Sequence, residues 1–358
     1  MSTPEPTPSS DSLQACATMM QGGSKTFFAA SRLLPLRIRK ASIALYAFCR
    51  VADDLVDEAA PGDAPLDTLR LRLDQIYAGT PRDYVEDHAL SMVVQQYQLP
   101  RPLLDALIEG FAWDAQGRTY DSLQDVHAYA ARVAGSVGAM MCWIMGPQSV
   151  DTLARACELG VAMQLTNIAR DVGADAALGR IYLPRDWMRA AGIDPQAWLQ
   201  QPVCTPALQG VVARLLDEAD RLYHQAQSGI AALPPDCRAA ILSASLIYWE
   251  IGHQLRRDGL DSVNHRTVVS TRRKLVLLAM AWTQAPWVRT PMQTPEPLAA
   301  IEYLVHSCRQ AHAQPPVASA YFPNRAMPQR VAWVIDLLER RENERRRGRR
   351  PTRDTAPV

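Results

Sequence analysis

The sequence is short of several features that would point elsewhere. Its seven cysteines (Cys16, Cys49, Cys142, Cys157, Cys204, Cys237 and Cys308) are odd in number and scattered, with no C-x-x-C pair. That argues against a disulfide scaffold or a zinc site and for a reducing compartment. Net charge is nearly absent, +1 over 358 residues, so no global attraction to nucleic acid follows. Period-two alternation, the mark of half-buried strands, appears nowhere convincing, which leaves an all-α class. Long uncharged apolar runs are lacking too: the nearest, Val133 to Val150, is interrupted by glycine, proline and serine. The opening MSTPEPTPSSDS lacks the basic-then-apolar order of a signal peptide. A soluble cytoplasmic protein is the expectation.

What is plentiful is apolar helix. Hydrophobic residues make up 48% of the chain, enough at this length for a large core. From Ile43 to Glu58, IALYAFCRVADDLVDE, the residues Tyr46, Arg50, Asp53 and Asp57 recur on one helical face. The other directions carry Leu45, Phe48, Val51, Ala52, Leu55 and Val56. A helix apolar nearly all round belongs in the interior, so this acidic stripe is expected to face inward. There, carboxylates are costly unless a cation neutralises them. Val150 to Asp175 repeats the pattern with Gly160, Gln164, Asn167, Asp171 and Asp175, and Arg180, Tyr182 and Arg185 follow closely.

Two inward acidic rows raise each other's pKa or repel. Hard divalent cations relieve this. The oxygen-only set of Asp53, Asp57, Asn167, Asp171 and Asp175 selects magnesium over zinc, with manganese as an alternative. Magnesium keeps positions for water and phosphate oxygens. A bridged diphosphate ringed by Arg50, Arg180 and Arg266, with Lys25 or Arg273, balances in charge. Apolar surroundings imply an apolar remainder of the substrate. An allylic chain leaving diphosphate gives a carbocation, which Phe27, Tyr46, Tyr129 and Tyr248 can stabilise through their π faces. The competing account is a buried salt-bridge network between these acids and arginines.

Further helical patterns cover Leu36–Glu58, Leu66–Tyr77, His88–Tyr97, Pro102–Ala115, Ser122–Met145, Pro206–Ala232, Asp236–Asp258 and Thr267–Trp282. Gly135, Ser136, Gly138 and Ala139 make a small-residue patch, for close helix contact or for an elongated ligand. The expected organisation is a disordered 1–12, a catalytic domain over 13–285, a proline-rich linker with accessory helices over 286–338, and a tail over 339–358. Those accessory helices are expected near Leu298–Ala313 and Gln329–Glu344. The stretch ERRENERRRGRRPTRD holds eight arginines. It reads as solvated or as a contact for anionic lipid; a nucleic-acid reading rests on this tail alone and lacks the usual interleaved aromatics, so no nucleic acid is expected.

Three segments, LLPLRIRKASIALYAFCRVADDLVD, VAGSVGAMM and LGVAMQLTNIARDVGADAALGRIYLP, stand in this order. Together they resemble the squalene/phytoene synthase family of head-to-head prenyl transferases, and within it the bacterial phytoene synthases, over residues 20 to 285. The resemblance implies a single large helical domain of the class I isoprenoid-synthase type, with a central cavity. Asp53, Asp57, Asp171 and Asp175 would be metal-binding there, with Gln164 and Asn167 in the same site. Ser24, Phe27, Tyr46, Arg50, Arg180, Tyr182, Tyr248 and Arg266 would contact diphosphate or the reacting centre. Tyr129, Val133, Gly135 and Gly138 would line the prenyl pocket, Tyr129 also steering the second step.

The implied reaction joins two geranylgeranyl diphosphates through a cyclopropylcarbinyl diphosphate to phytoene, the first committed step of carotenoid biosynthesis. It needs no NADPH, and the chain shows neither a dinucleotide glycine motif nor a C-terminal membrane helix. Implied surroundings are other carotenoid-pathway enzymes and the inner face of a membrane. One departure stands out: Tyr129-Ala130-Ala131 replaces a stretch with a second aromatic in relatives. Rival readings are a farnesyl diphosphate enzyme making dehydrosqualene, presqualene diphosphate or squalene, and a non-catalytic prenyl-lipid-binding helical protein. A binding module has no need of four metal carboxylates plus Asn167. A chain-elongating prenyltransferase fits less well, since its second motif would also read D-D-x-x-D.

Overall fold

Wherever apolar residues recur at helical spacing, the chain is helical. The computed structural model describes residues 10–23, 30–60, 63–146, 149–289 and 295–311, and among these residues there is no strand. The helices are α1 (Ser10–Gly23), α2 (Leu36–Asp57), α3 (Pro65–Tyr77), α4 (Val85–Tyr97) and α5 (Arg101–Ala115). Next come α6 (Leu123–Met145) and α7 (Val150–Arg170), then the short α8 (Val172–Ala177), α9 (Arg185–Ala190) and α10 (Pro195–Gln200). Finally there are α11 (Pro206–Ala232), α12 (Pro235–Arg257), α13 (Thr271–Gln284) and α14 (Glu302–Ala311). Starts follow capping chemistry. Ser122 and Asp125 form a reciprocal capping box at α6, and Thr205 accepts from the Leu208 amide ahead of α11, whose first residue is proline.

α7 is the axis. It pairs most extensively with α11 and also packs on α6, α12 and α14. Two glycines permit the α6–α7 crossing. A Cβ on Gly138 would lie 2.2 Å from the Ala156 carbonyl oxygen, and one on Gly160 would lie 2.2 Å from that of Ala134. α6 is long and apolar enough to cross a membrane by length and composition, yet most of it is buried among other helices. It also carries a π-helical turn over Ala131–Gly135, where the Ser136 amide donates to the Ala131 carbonyl and its hydroxyl donates to the Arg132 carbonyl at 2.5 Å. Such a turn rotates the side chains that follow it relative to those before.

Three expectations need correction. The stretch from 150 to 175 is two helices, broken at Asp171, which adopts φ −106° and ψ 16°. Residues 10–12, expected to be disordered, begin α1. The segment placed outside the main domain joins its core: Ile301 and Leu304 are fully buried, and Leu298 donates its amide to buried Glu158 at 3.0 Å. The expected helix at Gln329–Glu344, the remaining linker and the arginine tail lie outside the described residues.

The crossing predicts that Gly138→Val and Gly160→Val each lose about 3 kcal/mol or more, since backbone must move. Gly210→Ala, with nothing within 4 Å of its Cβ, should gain up to about 1 kcal/mol. Denaturant melts of the three variants check both signs.

Candidate active site

An apolar cavity of about 310 Å³ opens between α2, α6, α7, α11 and α12. Leu45, Val137, Leu159, Ile230 and Ile241 contribute to its wall, with Met20, Met141, Met145 and Met163. Thioether side chains of this kind adapt to ligand shape. Thr152 and Arg155 line the cavity several turns back along α7, and Tyr46 from α2, Gln164 and Asn167 from α7 and Tyr248 from α12 are polar lining on the side of the acids. One further turn along α2 and α7 lie the acids.

One arginine links the two acidic pairs. Arg180 donates its amide to the Asp175 carbonyl at 2.9 Å, and its guanidinium reaches Asp57 at 2.9 Å. The α2 pair is thereby tied to the end of α8. Arg50 pairs with Asp53 at 3.4 Å and also with Asp54. Arg266 bonds Asp171 at 2.8 Å, and Arg170 clamps the same carboxylate. The loop that brings Arg266 approaches through Gly173, whose amide donates to Ser262 at 2.9 Å and where a Cβ would strike the Val263 carbonyl.

The electrostatics divide the acids. Burial, then Asp57, raises Asp53 to about 6. Burial, then Asp171, raises Asp175 to about 7. Burial also pushes Asp171 upward, but the guanidiniums of Arg170 and Arg266 outweigh it and hold the carboxyl below its ordinary range. The excess of negative charge at Asp53 and Asp175 is what a bound cation would relieve. Among the described residues no three acidic, histidine or cysteine side chains converge into a ready-made ion cage. An all-oxygen set spread over two helices fits magnesium, which takes few protein ligands and fills the rest with water and phosphate oxygens.

Several expected placements change. The α2 acids are not sealed inside: the Asp53 and Asp57 side chains are 42% and 44% exposed, against 18% for Asp171. Val133 and Gly138 line the cavity, but Gly135 instead faces Cys157 and Val161 of α7 and Leu304. Tyr129 is absent from the cavity wall. Its hydroxyl, like that of Tyr182, bonds Asp114. Arg273 bonds Glu250 at 2.8 Å rather than the acidic pairs. Ser24, Lys25 and Phe27 lie outside the described residues. Sequence reasoning missed Arg170 and Asp114. Arg170 sits off the stripe in an unbroken helix, and Asp114 sits in no repeating pattern.

An all-helical fold whose apolar cavity opens onto two opposed acidic helix ends defines an isoprenoid-synthase type of protein. Its solved relatives share that fold. A dehydrosqualene synthase matches with a TM-score of 0.71 at 31% identity, over 77% of this chain and 97% of that one. A squalene synthase from Alicyclobacillus acidocaldarius matches with a TM-score of 0.64 at 27% identity, over 70% and 94%. Squalene/phytoene synthase is the family whose pattern matches residues 20–274, and the chain belongs to it. Curated relatives include the phytoene synthase of Cereibacter sphaeroides, 49% identical over 84% of this chain and 89% of the relative. That of Rhodobacter capsulatus is 52% identical over 75% and 80%.

Because the folded state raises the Asp175 pKa, ionising this group costs stability, and the cost grows as pH rises from about 4 to about 7. Asp175→Asn should therefore raise the melting temperature of the chelator-treated protein near pH 8. The difference from the unsubstituted chain should close as pH falls toward about 4. Thermal melts at the two pH values read this directly.

Proposed function

We propose that the chain condenses two geranylgeranyl diphosphates head to head, through a cyclopropylcarbinyl diphosphate, to phytoene. The carrying observation is the pair of acidic helix ends, linked by Arg180 one turn beyond the Tyr46 and Asn167 side of a mostly apolar cavity. Relatives at about half identity bear the name phytoene synthase, which supports the twenty-carbon substrate. Asp53, Asp57, Asp171 and Asp175, with Asn167, would hold magnesium, which supplies the positive charge that makes diphosphate a good leaving group.

This chain's own residues do the rest. Arg50, Arg180 and Arg266 now rest on carboxylates and turn to diphosphate oxygens when substrate arrives. The cavity takes the prenyl chains and keeps water from the cation. Tyr46 and Tyr248, in its wall on the side of the acids, offer ring faces to positive charge. The arginine-rich tail contacts anionic lipid at the inner face of a membrane, placing the enzyme where an oily product can leave and other carotenoid-pathway enzymes can take it.

Asp53→Asn and Asp171→Asn should each lower turnover by about 100-fold or more while circular dichroism keeps the helical signal. Near-normal product from either would remove the metal assignment. Product analysis with magnesium, offering C15 and C20 diphosphates separately and with or without NADPH, should give a C40 hydrocarbon from C20 alone without reductant. Preferred C15 conversion would reassign the substrate. A chain ending before Arg345 should retain activity on detergent-dispersed substrate and bind anionic vesicles less well; total loss of activity in detergent would contradict this.

A further inference from the structure

Asp114 is a charged side chain that folding delivers to the site without any pattern in the sequence. It lies in the last turn of α5, and its two oxygens accept the hydroxyls of Tyr129 at 2.8 Å and Tyr182 at 2.6 Å. The two rings stack with centroids 4.9 Å apart, and Tyr120 closes the cluster at 5.1 and 5.7 Å. Tyr120 is fully buried, and its hydroxyl has no hydrogen-bond partner among the described residues. The charge of Asp114 reaches Asp53 and Asp175, and it feels Arg180 and Asp57 in turn. One helical turn beyond Tyr129, Val133 lines the apolar cavity. The tyrosine cluster thus joins the acidic end of the site to the oily one.

Stability alone calls for a neutral group at this position. Asparagine could accept from one phenol and donate to the other without adding a fifth carboxylate to four. As it stands, burial pushes the Asp114 carboxyl above its ordinary range, and Asp57 adds to the effect. A carboxylate does what an amide cannot. Its charge-assisted bond draws on the phenol proton and leaves the oxygen and ring richer in electrons, which strengthens the ring's attraction for a cation.

We propose that Asp114 is a positioning residue for the second half of the reaction: it fixes and polarises Tyr129 and Tyr182, which steer the cyclopropylcarbinyl cation toward the C40 hydrocarbon. This rests on the head-to-head condensation proposed above. Asp114 itself exchanges no proton with substrate.

The test uses the full chain with magnesium and C20 diphosphate, measuring intermediate and hydrocarbon separately, and then supplies the intermediate directly. In Asp114→Asn, consumption of C20 diphosphate should fall much less than the second half does, the small loss reflecting the charge removed from beside Asp53 and Asp175. Conversion of the supplied intermediate should fall about tenfold, so that intermediate accumulates. Tyr182→Phe, which removes one hydroxyl only, should shift the ratio in the same direction, and Asp114→Glu should restore part of it. Added to Tyr129→Phe, Asp114→Asn should cost little more, as expected of residues acting as one unit. An unchanged ratio in Asp114→Asn would overturn the proposal. So would equal loss in both halves with a lowered melting temperature, which marks a structural bond only. If the unsubstituted chain made no C40 product from C20 diphosphate, the proposed condensation itself would fall, a result distinct from both.

Discussion

One guanidinium decides where the chemistry sits. Arg180 is tethered by its backbone to Asp175 and by its side chain to Asp57, so helices far apart in sequence present their acids to a common space. Without a cation between them, carboxylates on α2 and α8 would repel across that space. Under the proposed function, the arginines at Asp53, Asp57 and Asp171 therefore stand in for the positive charge that a bound metal would bring. Under that proposal, the salt-bridge network and the diphosphate site would be two states of the same side chains.

The helices themselves were legible because apolar residues recur at 3.6-residue spacing over long stretches, and the ends of α3, α4, α5 and α11 fall within a few residues of where capping and proline signals put them. The in-face order Tyr46, Arg50, Asp53, Asp57 was legible for the same reason. Its depth was not: a stripe on an apolar helix says which face is polar, whereas exposure depends on what packs beyond Asp57. The break at Asp171 also left no mark, because Asn167 and Asp175 keep their backbone bonds on either side of it. Asp114 and Arg170 needed tertiary structure altogether, as each gains its partner from a different part of the chain or from a local turn.

The small residues of α6 serve both purposes that could be imagined for them. Gly138 lets α6 and α7 approach at backbone distance and also forms cavity wall, while Gly135 serves contact alone. The π-helical turn just upstream offsets the Tyr129 end of α6 from the Val137 end. One continuous helix can then send one part to the acidic cluster and another to the oily chamber.

The region after the family's matched span has a structural debt to repay. Arg155 and Glu158, both buried, bond each other at 2.6 Å, and each also takes a backbone partner from the segment beginning at Pro295. Ending the polypeptide at 274, where the match to the family pattern stops, would strand that ion pair with half its partners and uncover the seat of Leu304. The matched pattern and the folding unit therefore have different edges, and the chain must be kept to its longer edge to stay whole.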